Sequence, residues 1–248
     1  MRTFLTALAE RRHPVLRWED SAGASLELTG PVLANWAHKA HGLLADSDVG
    51  PDLDLGVVEE TGAEEPGVHW RALAGALAAW SLGACVRVID EEEPDAPWAA
   101  LVSEHRADDA VTHSADEVFI YPVAPLALGV DAPQDTIDFA TALRAYPDEA
   151  PIGTTARVTF GDAAHTETEG LRALCGAPSA QVLSSTAPPG DASASAAPAD
   201  GPSATPSDSP STAAEVVVTS APRTASDWGR IMHGLLHGVV VLRPAVDP

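Results

Sequence analysis

Lysine is nearly absent from this 248-residue sequence, because Lys39 is the only one among 14 basic residues. Against these bases stand 36 acidic residues, which leave a formal net charge of −22 at pH 7. A surface of that charge repels phosphate backbones, so we exclude nucleic acid as a partner. Lys39 is therefore the only side chain that could supply an ammonium group to a reaction.

Cysteines and long apolar runs are also scarce. Cys85 and Cys175 are too few and too far apart for a disulfide framework, which is typical of a reducing compartment. The longest uncharged apolar run, 72–86, is shorter than the roughly 18 to 20 residues of a membrane span. The first nine residues are too short an apolar stretch for a secretory signal. We therefore expect a soluble cytoplasmic protein with no membrane partner.

Aromatic and basic residues are missing from the stretch 177–214, where Ala, Ser, Thr, Pro, Gly and Asp dominate. Such a segment cannot bury enough apolar surface to offset the entropy lost on ordering. The composition predicts a disordered insert. On either side, we expect one domain that is formed by residues 1–176 and completed by a strand, a helix and a strand in 215–248.

Helical and strand patterns alternate along the remaining sequence. Hydrophobic spacing and capping residues predict helices over 1–12, 31–44, 69–82, 97–106, 136–145 and 228–236. Strands are predicted over 15–18, 25–28, 53–58, 85–89, 110–112, 118–121, 215–219 and 239–242. Gly83 is expected to end the buried helix with a positive φ. This alternation predicts an α/β fold with a doubly wound, mainly parallel sheet.

Two stretches carry a resemblance to a known superfamily. The first consists of LTGPVLANWAHKAHGLL at 28–44, VGP at 49–51 and the segment 70–90 with AWSLGACV at 79–86. The second is GLLHGVVVLRPAVDP at 234–248. In this order they resemble an early helix, a helix-to-strand turn and a helix-glycine-strand-Asp-Pro segment of the AMP-dependent synthetases and ligases, which include the acyl-CoA synthetases. The sequence is similar to a group of short actinobacterial proteins of no established function that resemble the N-terminal part of this superfamily. The resemblance implies a partial N-terminal domain of an adenylate-forming enzyme.

The resemblance also implies a phosphate loop rich in Ser, Thr and Gly that closes in Gly, Pro and Lys. Backbone N–H groups and a cation are what a triphosphate needs. The matching run is 152–157, in which Gly153, Thr154 and Thr155 are the candidate nucleotide-binding residues. Ala156 stands where a second glycine is expected and no Pro-Lys follows, so the loop is degenerate.

Other parts of the superfamily's machinery are expected beyond the end of this sequence. These are the magnesium motif with its Glu, the ribose-binding Asp and the mobile lid with its catalytic lysine. Lys39 lies in the early helix, at a position that the superfamily does not use for chemistry. The resemblance therefore predicts no catalytic residues, no cofactor and no adenylating activity.

Three other groups of residues have the composition of possible metal sites. His233 and His237 are spaced i and i+4, so one helix face could offer both to a metal, but no third ligand is signalled. His38 and His41 form a similar pair, which we interpret as the partly exposed side of a helix. The acidic run 90–95 lacks the central glycine of a calcium loop and is interpreted as a solvated loop. We predict no metal site.

Three functions remain open. The first is a non-catalytic binding or interaction module that holds a carboxylate or nucleotide weakly, or associates with a protein partner. The second is an incomplete ATP-dependent carboxylate-activating ligase that a partner completes. The third is a stable relic with no ligand. Since fold does not determine function, the identity of any ligand depends on the structure of the site.

Overall fold

A computed structural model describes residues 1–58, 67–89, 96–152, 158–160, 163–165 and 214–244. The candidate phosphate-loop residues Gly153, Thr154 and Thr155 lie outside the described residues. So does the insert predicted over 177–214, apart from Ala214. The acidic run 90–95 also lies outside them.

Five helices and eleven strands form the described part of the chain. The helices are α1 Arg2–Ala9, α2 Gly30–Asp46, α3 Trp70–Leu82, α4 Phe139–Ala142 and α5 Ala225–His237. The strands are β1 Pro14–Glu19, β2 Ser25–Thr29, β3 Asp54–Val58, β4 Cys85–Ile89, β5 Trp98–Ser103, β6 Glu117–Tyr121, β7 Ile137–Asp138, β8 Val158–Phe160, β9 Ala163–His165, β10 Glu215–Val218 and β11 Val239–Leu242. None of these described helices has both the length and the apolar character that crossing a membrane requires.

The strands are divided between two sheets. The larger has seven strands in the order β7-β6-β5-β3-β4-β8-β9, all parallel to their neighbours except β9. The smaller has the order β10-β11-β1-β2, in which only the β1–β2 pair is antiparallel. The predicted α/β fold with mainly parallel strands is confirmed, but its strands form two sheets where we expected one. The late strands β10 and β11 join the first strand β1 in the smaller sheet.

Helix α3 lies at the centre of the core. Every residue from Trp70 to Ser81 is buried, as its nearly continuous apolar sequence predicts. The helix ends at Gly83, which has φ of 84° and returns its N–H to the carbonyls of Ala79 and Trp80. The predicted end of this helix is therefore confirmed, because a left-handed residue at that point satisfies the last carbonyls.

The larger sheet is buried on both faces near its centre. All six residues of β5 are buried. Ala99 and Leu101 contact the main core on the α3 side, while Trp98, Ala100 and Val102 belong to a second apolar cluster. Alternate residues of a strand point to opposite faces, so β5 contributes to both clusters.

Tryptophan rings connect separate parts of the chain within the main core. Trp80 of α3 meets Trp228 of α5 edge to face, with ring centroids 4.9 Å apart. Trp36 of α2 meets Trp70 of α3 in the same way at 4.8 Å. Such edge-to-face pairs add about 0.5–1.5 kcal/mol to what the burial of the rings contributes. The residues after Ala214 thus share one core with the first half of the chain.

Three of the predicted elements are wrong. The segment 97–106, predicted as a helix, contains strand β5 followed by a 3-10 turn at Glu104–Arg106. The segment 110–112, predicted as a strand, leads into a 3-10 turn at Thr112–Ser114. The long helix predicted over 136–145 is reduced to α4 and a 3-10 turn, because Ile137–Asp138 pairs with β6.

Candidate functional site

A cavity of about 440 Å³ lies beside the carboxyl ends of the central parallel strands. The loop 122–130 follows the last residue of β6, and α3 begins after β3, which runs parallel to β5 and β6. Both segments therefore emerge at the same edge of the sheet. In open α/β sheets ligands bind at this edge. The cavity lining comes from β2, α2, the start of α3, the loop and α4.

Arg71 holds the loop that forms one wall of the cavity. Its Nη1 donates to the carbonyls of Pro122 at 2.8 Å and Ala124 at 3.2 Å. Its Nη2 donates to the carbonyls of Pro125 at 3.3 Å and Ala127 at 2.8 Å. The residue is 1% exposed. One buried guanidinium thus fixes four carbonyls within the six residues 122–127, a segment outside the helices and strands.

The charge of Arg71 is retained inside the protein. Burial lowers its pKa to about 10, while Tyr121, Glu104 and Asp138 act against this shift. The group stays protonated at neutral pH. Its charged plane lies 4.4 Å from the ring centroid of Trp70, a cation–π contact, and no described carboxylate forms an ion pair with it. The carbonyl dipoles replace the water that the cation loses on burial.

His69 fastens the start of α3 to the same loop. Its Nδ1 accepts from the backbone N–H of Arg71 at 3.2 Å, so Nε2 carries the proton that it donates to the carbonyl of Val123 at 3.1 Å. The ring stacks on Tyr121 with centroids 5.0 Å apart and meets the edge of Trp18. Burial, and then the charge of Arg71, hold the pKa of His69 well below its ordinary value. This neutral imidazole lies behind Arg71 and helps to fix the loop that lines the cavity.

Two more cations lie at the rim. The Nζ of Lys39 donates to the carbonyl of Tyr146 and pairs with Asp148, both at 2.7 Å. Arg144 is exposed and donates to the carbonyl of Leu128. With Arg71, three of the chain's 14 basic residues line this cavity, and no acidic residue is among the described residues that line it. In a protein of such negative charge, this is a local concentration of positive charge.

The mouth of the cavity is apolar as well. Val32, Leu126 and Leu128 are 42%, 76% and 72% exposed. Among the described residues only one other large hydrophobic side chain, Val217, is comparably exposed. Single exposed apolar residues need no explanation, but a group of them around one cavity indicates a binding surface.

The candidate residues Gly153, Thr154 and Thr155 lie outside the described residues. Ile152, which precedes the candidate loop residues Gly153, Thr154 and Thr155, lines a second concavity of about 620 Å³. This cleft is polar, and its lining includes Arg2, Arg12, His38, Glu10 and Glu149. Its bases and acids are mixed, so it lacks the one-sided charge of the cavity.

The histidine pair of α2 is placed differently from our interpretation. His41 is buried, and its Nδ1 lies 2.6 Å from the hydroxyl of Ser81. The expectation that His41 belongs to an exposed side is therefore wrong, because α2 packs against α3 along this line. His38 is half-buried, and its Nδ1 accepts from the backbone N–H of Ala150 at 3.2 Å. Burial lowers the pKa of both rings.

The other histidine pair lies on α5, with ring centroids 4.6 Å apart. Arg11 donates to the carbonyls of Leu236 and Gly238 at the end of this helix. Burial comes first among the causes that lower the pKa of His237, followed by His233 and Arg11. Among the described residues no three potential ligands cluster around a metal position.

Sequence reasoning missed the cavity, although one signal pointed to it. Arg71 is the only charged residue in the run 69–82, which is otherwise apolar or neutral. A buried helix carries an arginine only when the guanidinium finds acceptors, so its position indicated a polar partner in the fold. The sequence did not show which carbonyls accept these hydrogen bonds, because the loop lies some fifty residues further along the chain.

Several known proteins resemble this chain in sequence or in fold. No protein-family model matches the chain. It is 30% identical over 137 residues to a TIGR03089 family protein of Mycobacterium tuberculosis. The match covers 53% of this chain and 53% of the mycobacterial protein, so the chain matches about half the length of that relative.

Three solved structures with a similar fold illustrate the likeness. The acyl-CoA synthetase of Brucella canis matches with a TM-score of 0.51 at 17% identity, over 69% of this chain and 34% of that protein. The nonribosomal peptide synthetase FmoA3, with α-methyl-L-serine-AMP bound, gives 0.53 at 15% identity, over 97% of this chain and 23% of that protein. The fused adenylation-PCP protein NpsA-ThdA from Klebsiella oxytoca gives 0.50 at 12% identity, over 99% of this chain and 39% of that protein.

These matches confirm the resemblance found in the sequence. The chain has the α/β fold of the N-terminal part of acyl-CoA synthetases and adenylation domains. It spans about a third or less of the length of the first and second enzymes described above. At these identities the likeness concerns the fold, and the function depends on the site.

Proposed function

We propose that this chain is a ligand-binding relative of the acyl-CoA synthetases that does not form acyl-adenylates by itself. The observation that carries the proposal is the cavity over Arg71, where an apolar mouth and three cations meet at the edge of the sheet at which α/β proteins bind ligands. A buried arginine that spends four hydrogen bonds on one loop gives this cavity a fixed shape.

The degenerate phosphate loop supports the absence of adenylation. Ala156 replaces a glycine whose backbone would approach the phosphates, and Arg157 and Val158 stand where Pro-Lys is expected. Removing one electrostatic stabiliser of a transition state typically costs about 100- to 1,000-fold in rate. The only lysine is engaged with Asp148 and the carbonyl of Tyr146, on the cavity side of α2.

Pyrophosphate exchange tests this proposal. The purified chain is incubated with ATP, magnesium and a panel of short-chain, medium-chain and aromatic carboxylic acids, and a complete acyl-CoA synthetase serves as the positive control. We expect no exchange above the enzyme-free background. Isothermal titration with ATP and magnesium provides the second readout. Micromolar binding of ATP that Thr154→Ala abolishes would contradict the proposal and restore the enzyme reading.

An incomplete ligase that a partner completes is the second candidate. The likeness to the front third of a complete acyl-CoA synthetase favours it. Affinity capture with the tagged chain, followed by the same exchange assay on the captured fraction, separates the two candidates. Exchange that appears only with the captured partner supports the second candidate, and its absence supports the first.

We further propose that the chain works in the cytoplasm and without nucleic acid. Two cysteines far apart in sequence suit a reducing compartment, and a net charge of −22 repels phosphate backbones. Fractionation of cells that express a tagged chain checks the location. Recovery in an extracytoplasmic fraction would contradict it.

A further inference from the structure

We propose that the cavity over Arg71 binds an amphipathic anion, with the apolar body inside and the anionic group at the rim beside Arg144 and Lys39. The inference rests on the proposed role as a binding module and names the class of its ligand. It follows from three properties of the lining. The interior is apolar, the charged side chains are all cations, and the Nη atoms of Arg71 already donate to loop carbonyls.

The interior suits an apolar body. Leu28, Leu143 and the ring of Trp36 lie on different sides of the cavity and come from β2, the turn after α4 and α2. Its volume of about 440 Å³ falls within the range of about 300–1,000 Å³ typical of small-molecule sites. Each methylene group that such a ligand buries contributes about 0.8 kcal/mol.

The charge of the lining selects an anion. Arg71, Lys39 and Arg144 are the ionisable residues of the described lining, and all are cations. A ligand with a positive group would be repelled, while an uncharged ligand would gain nothing from them. Complementary charge between a site and its ligand adds affinity and rejects ligands of the wrong sign.

The anionic group is placed at the rim because the inner cation has no terminal N–H groups to offer. All four hydrogen bonds of the Arg71 Nη atoms go to loop carbonyls, so those atoms act on a ligand only through their charge, while the Nε–H of Arg71 is buried without a described acceptor. Arg144 is exposed and uses one bond on the carbonyl of Leu128. Recognition by charge at an exposed rim does not require bidentate hydrogen bonds between an arginine and a carboxylate. A carboxylate and a sulfonate should therefore bind alike.

A nucleotide fits this lining poorly. Adenine carries several hydrogen-bonding groups, and among the uncharged side chains of the described lining only Asn35 and the indole N–H groups of Trp36 and Trp70 could meet them. Burying a polar group without a partner costs about 1–3 kcal/mol. A triphosphate also needs more cationic neighbours than a rim where Lys39 is already paired with Asp148.

Four ligands of one chain length test the inference on the full chain. Decanoate, decanesulfonate, 1-decanol and decyltrimethylammonium are titrated below their micellar concentrations, and tryptophan fluorescence reports binding because Trp36 and Trp70 line the cavity. We expect the two anions to bind within about threefold of each other, the alcohol about tenfold more weakly and the cation without saturation.

Variants locate the site. Leu128 is 72% exposed, so Leu128→Glu should fold normally while its carboxylate at the mouth weakens both anions by about tenfold. Leu128→Gln is the matched control without charge and should weaken them less. Arg144→Gln should weaken the anions about three- to tenfold, whereas Arg243→Gln, an exposed arginine outside the cavity, should not.

The outcomes separate this inference from the proposed function. Equal binding of decanol and the anions overturns the inference, as does fluorescence that responds to none of the four ligands. The proposed function survives those results. The opposite result is also informative. If the same preparation catalysed pyrophosphate exchange with decanoate, the non-catalytic function would be wrong, but the inferred class of ligand would stand.

Discussion

Helix α2 separates two concave surfaces that differ in their chemistry. On one side Trp36 and Lys39 line the cavity over Arg71, where the charges are all positive and most of the lining is apolar. On the other side His38 lines the cleft that contains Arg2, Arg12, Glu10 and Glu149. The cleft is the larger of the two, at about 620 Å³ against 440 Å³. Size alone would select the wrong surface.

The difference lies in how the charges are held. In the cleft, Arg2 and Arg12 are exposed next to acids, so solvent and opposite charge screen them. In the cavity, Arg71 is removed from water and fixed by carbonyl dipoles. A charge that a protein buries without a counter-ion is costly unless it has a use, which for Arg71 is to build a wall and to give it a positive potential.

The largest expected effect distinguishes the arginines of the two surfaces. Arg71→Leu removes a donor from four loop carbonyls, of which Ala124 alone keeps a described bond, from the N–H of Ala127, and should lower the free energy of unfolding by about 3 kcal/mol. Arg12→Leu, in the cleft, should change it by less than about 0.5 kcal/mol because Arg12 is exposed. Urea denaturation followed by tryptophan fluorescence measures both. Equal urea midpoints for the two variants would show that the buried Arg71 contributes no more to stability than the exposed Arg12.

A helix-end variant separates stability from ligand binding. Gly83 has φ of 84°, which a β-branched residue resists, so Gly83→Val should destabilise the protein by about 1–3 kcal/mol. Gly83→Asn tolerates this backbone better and should cost less. Because Gly83 ends α3 at the opposite end from Arg71, the affinity for decanesulfonate should be unchanged. An unaltered melting temperature for Gly83→Val would show that the turn is not strained.

Much of the fold could be predicted because its elements are locally encoded. The buried run that became α3, with its glycine end, and the Pro31 start of α2 carry their own signals. Strand β5 could not be identified this way. Its sequence WAALVS suits a buried helix as well as a strand, and only its position between β3 and β6 decides the matter. Tertiary pairing overrode an alanine-rich local preference.

The site was less predictable than the fold. Its loop has no periodicity, and the contacts that shape it join Arg71 to carbonyls some fifty residues away. The family resemblance directed attention to Gly153, Thr154 and Thr155 instead, which lie outside the described residues. A lone arginine in an apolar helix was the usable signal, because such a residue must find acceptors.

A pH series compares the two surfaces through their histidines. Burial lowers the pKa of His69 well below its ordinary value, so the folded protein holds the ring neutral while the unfolded chain takes up a proton below about pH 6.5. This stability is complete above pH 6.5 and is lost as the pH falls, because the unfolded state then binds more protons. The free energy of unfolding should therefore fall as the pH is lowered below about 6.5.

The control is the histidine of the cleft. His69→Gln should flatten the fall in stability between pH 7 and 5, measured by urea denaturation at each pH. His38→Gln should flatten it less, because His38 is only half-buried and Glu149 acts against the lowering of its pKa. An identical slope in both variants would show that His69 and His38 contribute equally to the pH dependence of stability, which would contradict the prediction.

The smallest expected effect concerns the rim of the cavity. Asp148 pairs with Lys39 at 2.7 Å, and its hydrogen bonds to Lys39 and Asn35 lower the pKa of its carboxyl. Because Asp148 is exposed, Asp148→Asn should leave the unfolding midpoint unchanged while it releases the charge of Lys39 to the rim. Affinity for decanesulfonate should then rise by about two- to threefold at low salt and lose this gain at 0.5 M salt, where exposed charges are screened. Glu149→Gln changes the net charge equally but lies in the cleft, so it should not alter the affinity. If both variants strengthened binding alike, the affinity for the anion would depend on the overall charge of the protein. The charges on the two sides of α2 would then have the same effect on binding.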